Sequence, residues 1–71
     1  MDIKQKFGEK VKLFRLEKNW SQEKLALEAG IDRTYLPGIE KGERNVSITV
    51  VEKLAIALGV EIREFFEEEC K

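Results

Sequence analysis

One pattern marks successive helix starts in this chain, and it leaves little room for anything but short packed helices. Ser21 can cap a helix by accepting a backbone N–H, with Trp20 before it and Leu25 after it placed to close as a hydrophobic staple. Asp32 repeats the arrangement with Ile31 and Leu36, and Val60 and Phe65 flank Glu61, a poorer cap. A further helix begins either at Ser47, stapled by Val46 and Val51, or at Thr49 with Glu52 completing a capping box. Glycines close the segments: Gly30, which takes the left-handed turn conformation cheaply, then Gly42 and Gly59. The spacing predicts helices over about 22–29, 33–41, 48–58 and 62–69. A first helix over about 3–18 carries an apolar stripe of Ile3, Phe7, Val11 and Phe14. Leu13 and Leu16 fall off that stripe and are left unplaced. No stretch alternates like a strand, so the expected fold is all-α, a compact five-helix domain over 1–71. Leu25, Ala26, Ala29, Ile31, Leu36, Ile39, Val51, Leu54, Ala55 and Leu58 are its expected core, the two alanines letting neighbouring helices approach closely.

Seventy-one residues lie near the lower limit for a single core, and one cysteine, Cys70, offers no internal disulfide. Its place at the C-terminus suits a reducing cytoplasm and leaves an intermolecular bridge open. The start, MDIKQKFGEK, is too charged for a signal peptide, so a cytoplasmic protein is expected. With no histidine, no metal-spaced cysteine pair, no glycine-rich phosphate loop and no membrane-length apolar run, the chain offers no expected metal, cofactor, small-molecule ligand or membrane contact. General acid–base work would fall to carboxylates or lysines without an evident cleft, which argues against an enzyme. Net charge is −1, but it is unevenly spread. Residues 1–44 hold ten Lys/Arg against eight Asp/Glu, and residues 45–71 hold three against six. Any surface for nucleic acid must come from the first two thirds.

Residues 21–44, SQEKLALEAGIDRTYLPGIEKGER, then read as two short helices around a glycine-centred turn, with polar and basic side chains opening the second. The pattern Q-x-x-L-A-x-x-A-G-I-x-x-x-x-L-x-x-I-E-x-G, from Gln22 to Gly42, resembles the helix-turn-helix signature of the phage-repressor (Cro/CI, or XRE) family. The resemblance extends upstream to Arg15 and downstream through L-A-x-A-L-G-V at 54–60. D-R-T-Y followed by G-I-E-K-G-E-R-N at 32–45 is most similar to controller proteins of restriction–modification systems. The resemblance implies a lambda-repressor-like DNA-binding domain. It also implies a homodimer on symmetric operators in double-stranded DNA, controlling its own promoter and the timing of endonuclease expression.

With Asp32 as N-cap, Arg33, Thr34 and Tyr35 occupy the turn that enters the major groove. Arg33 can grip guanine O6 and N7 or clamp a phosphate, and Thr34 can hydrogen-bond either way and touch a thymine methyl. Tyr35 is either a DNA contact or half-core. Gln22 opens a helix whose N-terminus suits phosphate. Lys41, Arg44 and Asn45 can hold the flanking backbone, a role the resemblance also implies. Lys41 and Arg44 could equally be ordinary charges at a helix end, and Arg33 a solvated one. The resemblance further pairs Arg15 with Glu40 in a largely buried ion pair near the DNA surface.

Pro37 departs from the family pattern. Five positions into a helix over 33–41, it would delete a hydrogen bond at a cost of about 3 kcal/mol, with Gly38 adding about 1 kcal/mol. That helix must bend or tighten there, or its first turn must sit at a different angle. In a final helix of two turns the adjacent Phe65 and Phe66 diverge, so one is expected in the core and the other on a patch seeking a partner. Ile62, Phe65 and Phe66 are therefore the expected dimer interface, which would set two recognition helices about one DNA turn (~34 Å) apart. Glu67, Glu68 and Glu69 read as a solvated acidic end opposite the DNA side. The leading expectation is a dimeric sequence-specific transcription regulator. A phage-type or antitoxin repressor would use the same surface, and a helical protein-interaction module with little DNA affinity is the alternative of another class.

Overall fold

Ser21 and Ser47 each accept a backbone N–H three residues on, from Lys24 at 3.0 Å and Val50 at 3.2 Å, and so fix where two helices begin. The computed structural model describes residues 2–67. Its helices are α1 (Ile3–Glu17), α2 (Gln22–Ala29), α3 (Tyr35–Glu40) and α4 (Ile48–Leu58), followed by one 3₁₀ turn, Ile62–Phe65. Asp2 caps α1 through the Lys4 N–H at 2.8 Å. Gly30 and Gly59 close α2 and α4 in the left-handed conformation. The choice between Ser47 and Thr49 falls to Ser47.

All four stapled pairs fold inward. Leu25, Leu36, Val51 and Phe65 are buried, while Trp20, Ile31, Val46 and Val60 are half-buried against them. Phe65 is the hub: its ring meets Phe7 edge-on at 4.9 Å and lies 5.9 Å from Phe14. Phe66 stacks on Phe7 at 5.8 Å.

Three expectations change here. The final helix of two turns is a single 3₁₀ turn among the described residues; Glu68, Glu69 and Cys70 lie outside them. That tight turn lets both phenylalanines reach α1, and Phe65 is wholly enclosed by its own chain. Phe65 is therefore removed from the expected dimer interface, leaving Ile62, which is exposed, and half-buried Phe66. Ile3, assigned to the α1 stripe, is exposed because the stripe meets the core only from Phe7 onward. Leu13 and Leu16 are also exposed.

Gly8 sets how α1 and α3 meet. It is buried in the middle of α1, where a Cβ would collide with the carbonyl oxygen of Ile39 and crowd that of Glu40 at 3.0 Å. A glycine inside a helix ordinarily costs about 1 kcal/mol relative to alanine. Here the missing side chain lets α3 lie directly on the α1 backbone. Gly8→Ala should therefore destabilise the fold by about 1–3 kcal/mol despite its better helix propensity, as measured by urea denaturation. A gain in stability would mean that the two helices do not pack this closely.

Candidate nucleic-acid interface

The chain between α2 and α3 is wound as a tight turn. Asp32 Oδ1 accepts both the backbone N–H and the hydroxyl of Thr34, each at 2.9 Å. The Tyr35 N–H then donates to the Asp32 carbonyl at 3.1 Å, and the Leu36 N–H to that of Arg33 at 3.2 Å. These three-residue steps are 3₁₀ geometry, which often leads into an α-helix. Asp32 thus caps the turn and not α3, which starts two residues later than the spacing predicted. The shift accounts for Pro37. Counted from Tyr35, the proline lies in the first helical turn, where backbone N–H groups have no intrahelical partner, so its missing donor costs nothing. The expected tightening happens before the proline.

The two Thr34 hydrogen bonds, chiefly the backbone one, hold the Asp32 carboxyl below the usual carboxylate range; Arg33 adds a smaller push in the same direction. Thr34 spends its hydroxyl proton on this turn, leaving its oxygen to accept and its methyl to make contact.

Behind the turn, α3 is tied to α1 and α2 by one carboxylate. Arg15 grips Glu40 through two parallel hydrogen bonds, Nε to Oε2 at 2.7 Å and Nη2 to Oε1 at 3.0 Å. Its Nη1 donates to the Trp20 carbonyl at 2.7 Å. The Gln22 amide completes the set, donating to Glu40 Oε1 at 3.0 Å. Both charged side chains are nearly enclosed, at 10% and 5% exposure. The structure thus brings together the pair that the resemblance implied. The Gln22–Glu40 bond spends one of the two Gln22 amide hydrogens, while the half-exposed side chain still lines the surface.

The outward side chains gather around two neighbouring depressions. Gln22, Glu23, Arg33, Thr34 and Pro37 line one. Tyr35, Arg44 and Asn45 share the other with Ile39, Val46, Ser47 and Val50. The Arg44 guanidinium lies 4.6 Å from the centre of the Tyr35 ring, a cation–π contact that sets an exposed arginine over an aromatic face. Tyr35 is itself 42% exposed, so it is a surface platform more than a core residue. Gly38 makes room for this arrangement, because a Cβ there would press on Arg44 Cγ at 3.1 Å. Lys41 and Asn45 are exposed. Sequence reasoning missed Glu23, Gly38 and Gly8. Glu23 carries no motif signal of its own, Gly8 matters only through Ile39 and Glu40 on a distant helix, and Gly38 only through Arg44 beyond the end of α3.

Of the acidic end expected opposite the DNA side, only Glu67 is among the described residues. Phe66 lines a third groove together with Lys4, Arg44 and Asn45. Glu67 is turned to Arg63, 2.6 Å away, and Arg63 also pairs with Glu61. No described helix is long and apolar enough to cross a membrane.

Two measurements test this framework. Glu40→Ala leaves Arg15 buried without its partner and should cost about 3–5 kcal/mol in chemical denaturation. A loss below about 1 kcal/mol, the range of exposed pairs, would show that the pair is solvated. The stabilisation from Asp32 should be full above the ordinary aspartate range and fade as pH falls through its depressed folded value. The stability gap between wild type and Asp32→Ala should accordingly be widest at neutral pH and narrow in acid; a gap independent of pH would contradict the turn geometry.

Comparison with known proteins places this architecture. The helix-turn-helix family model matches residues 11–65. The control protein C.BamHI of Bacillus amyloliquefaciens is 48% identical over 67 residues, covering 93% of this chain and 83% of that protein. The crystal structure of the restriction–modification controller protein C.AhdI from Aeromonas hydrophila superposes with a TM-score of 0.84 at 48% identity, over 87% of this chain and 94% of that one. The biofilm master regulator SinR, crystallised in complex with DNA, superposes with a TM-score of 0.81 at 34% identity, over 86% and 98% of the two chains. This chain belongs to the helix-turn-helix family, in its phage-repressor (XRE) branch, with restriction–modification controller proteins among its relatives.

Proposed function

We propose that the chain is a sequence-specific DNA-binding transcription regulator acting in the cytoplasm as a homodimer on symmetric operators, in the manner of a restriction–modification controller. One observation carries the reading. Arg33, Thr34 and Tyr35 are all exposed where the turn of the helix-turn-helix enters α3, and Arg33 and Thr34 line a depression with Gln22 and Glu23 at the start of α2. The SinR relative, which shares this fold and was crystallised in complex with DNA, supports DNA as the partner.

Arg33 and Thr34 are the base-reading residues, because only contacts to base edges distinguish sequences. Arg44, braced on Tyr35, together with Lys41 and Asn45, holds phosphate and sets the register. The α2 N-terminus adds a backbone phosphate site, with Gln22 bracing Glu40 behind it. Ile62 and Phe66 supply the apolar contact between protomers. Arg15 and Glu40 orient α3 without touching DNA. The chemistry is recognition alone, with no metal or cofactor in the reading.

Selection of duplexes from a random pool, followed by gel shifts at two salt concentrations, tests the proposal. Binding should fall steeply with salt as phosphate contacts are lost. Arg33→Ala should relax preference at one base pair by about 1–3 kcal/mol, whereas Arg44→Ala should weaken all duplexes evenly and lower the salt slope by about 1. Equal affinity for every duplex would remove the regulator reading. No binding even at low salt would favour a protein-interaction module.

A further inference from the structure

We propose that Glu23 is a specificity-determining positioning residue, its carboxylate anchoring one end of Arg33 so that the rest of the guanidinium faces a guanine. The inference deepens the DNA-binding reading above and rests on it. Arg33 Nη1 donates to Glu23 Oε2 at 2.8 Å, joining the opening turn before α3 to the first turn of α2. Both side chains are about two-thirds exposed, and both line the depression shared with Gln22, Thr34 and Pro37. An ion pair this open to solvent adds little to stability, so its consequence must be sought elsewhere.

The consequence lies in which donors it occupies. Only Nη1 of Arg33 is engaged among the described residues, leaving the Nε–Nη2 edge of the planar fork. Two parallel donors from one edge are what guanine O6 and N7 require. The same chain already shows this use of arginine in its interior. Arg15 pins Nη1 on the Trp20 carbonyl and turns its Nε–Nη2 edge onto the paired oxygens of Glu40. Glu23 stands to Arg33 as the Trp20 carbonyl stands to Arg15, and the guanine edge takes the place of the carboxylate. Glu23 also carries a negative charge beside Arg33, which opposes a phosphate approaching the same guanidinium. It therefore turns a cation able to bind any duplex into one that discriminates.

The test is a double-mutant cycle on the duplex recovered by selection and on versions with each G·C pair replaced. Glu23→Ala should raise affinity for unselected duplex and reduce discrimination about two- to fivefold, the range of an exposed ion pair, at the base pair that Arg33→Ala affects. Glu23→Gln, which keeps an acceptor oxygen, should recover part of the discrimination. In the Arg33→Ala background, Glu23→Ala should leave discrimination unchanged. Equal effects of Glu23→Ala with and without Arg33, or loss at a different base pair, would overturn the proposal while leaving DNA binding intact. A wild-type chain that selects no sequence would overturn both readings. Circular dichroism of each variant separates these outcomes from misfolding.

Discussion

The bidentate grip of Arg15 on Glu40 is the interaction on which the recognition surface depends. A six-residue helix is too short to persist by its own hydrogen bonds, so α3 needs tertiary contacts to hold its direction. Apolar contacts at Leu36 and Ile39 supply attraction, but they permit sliding and rotation. Glu40, fixed by two donors of Arg15 and one of Gln22, removes that freedom at the helix C-terminus. Burying two charges gains little net stability, since desolvation offsets most of their attraction. What the arrangement supplies is a defined angle, because only one geometry satisfies all three donors.

Gly8 and Pro37 serve the same end by opposite means. The glycine removes atoms so that the α3 carbonyls at Ile39 and Glu40 can rest on α1, beside the ion pair. The proline restricts its own backbone and disfavours helical geometry at Leu36. Yet it sits where a helix has donors to spare, and so lies comfortably behind the 3₁₀ turn. With the far end of α3 clamped and its entry wound tightly by Asp32, the Arg33–Tyr35 segment stands outside the packed interior. Its exposure follows from the placement of its neighbours more than from its own polarity.

What could be read from sequence was local. A staple joins residues five apart and a cap joins residues three apart, so Ser21, Ser47 and the glycines at 30 and 59 mark helix ends without knowledge of the fold. The start of α3 was misjudged because the Asp32 side chain caps a 3₁₀ turn with the same polar signature as an α-helix. Phe65 was misassigned because its burial depends on α1, more than fifty residues away, supplying Phe7 and Phe14. Gly8 and Gly38 carry no periodic signal at all; their roles appear only when Ile39 and Arg44 come to lie over them. The Arg15–Glu40 pair, separated by 25 residues, was accessible through family resemblance and not through spacing.

The net negative charge of the chain is compatible with a DNA surface once the pairing of its charges is followed. Glu40 is neutralised internally by Arg15, and Glu61 and Glu67 converge on Arg63. The first pair confines its carboxylate's field to short range, and Arg63 offsets one of its two carboxylates, since a close opposite charge cancels most of the potential felt one Debye length away, about 8–10 Å at ordinary salt. Arg44 is different: its guanidinium rests on the quadrupole of Tyr35, which cancels none of its charge. Arg33 lies between these cases, paired with a carboxylate yet widely exposed. A phosphate approaching the surface thus meets Arg44 as a full cation and Arg33 as one already partly satisfied. A total charge cannot express that distinction, because it depends on the partner each arginine keeps when no DNA is present.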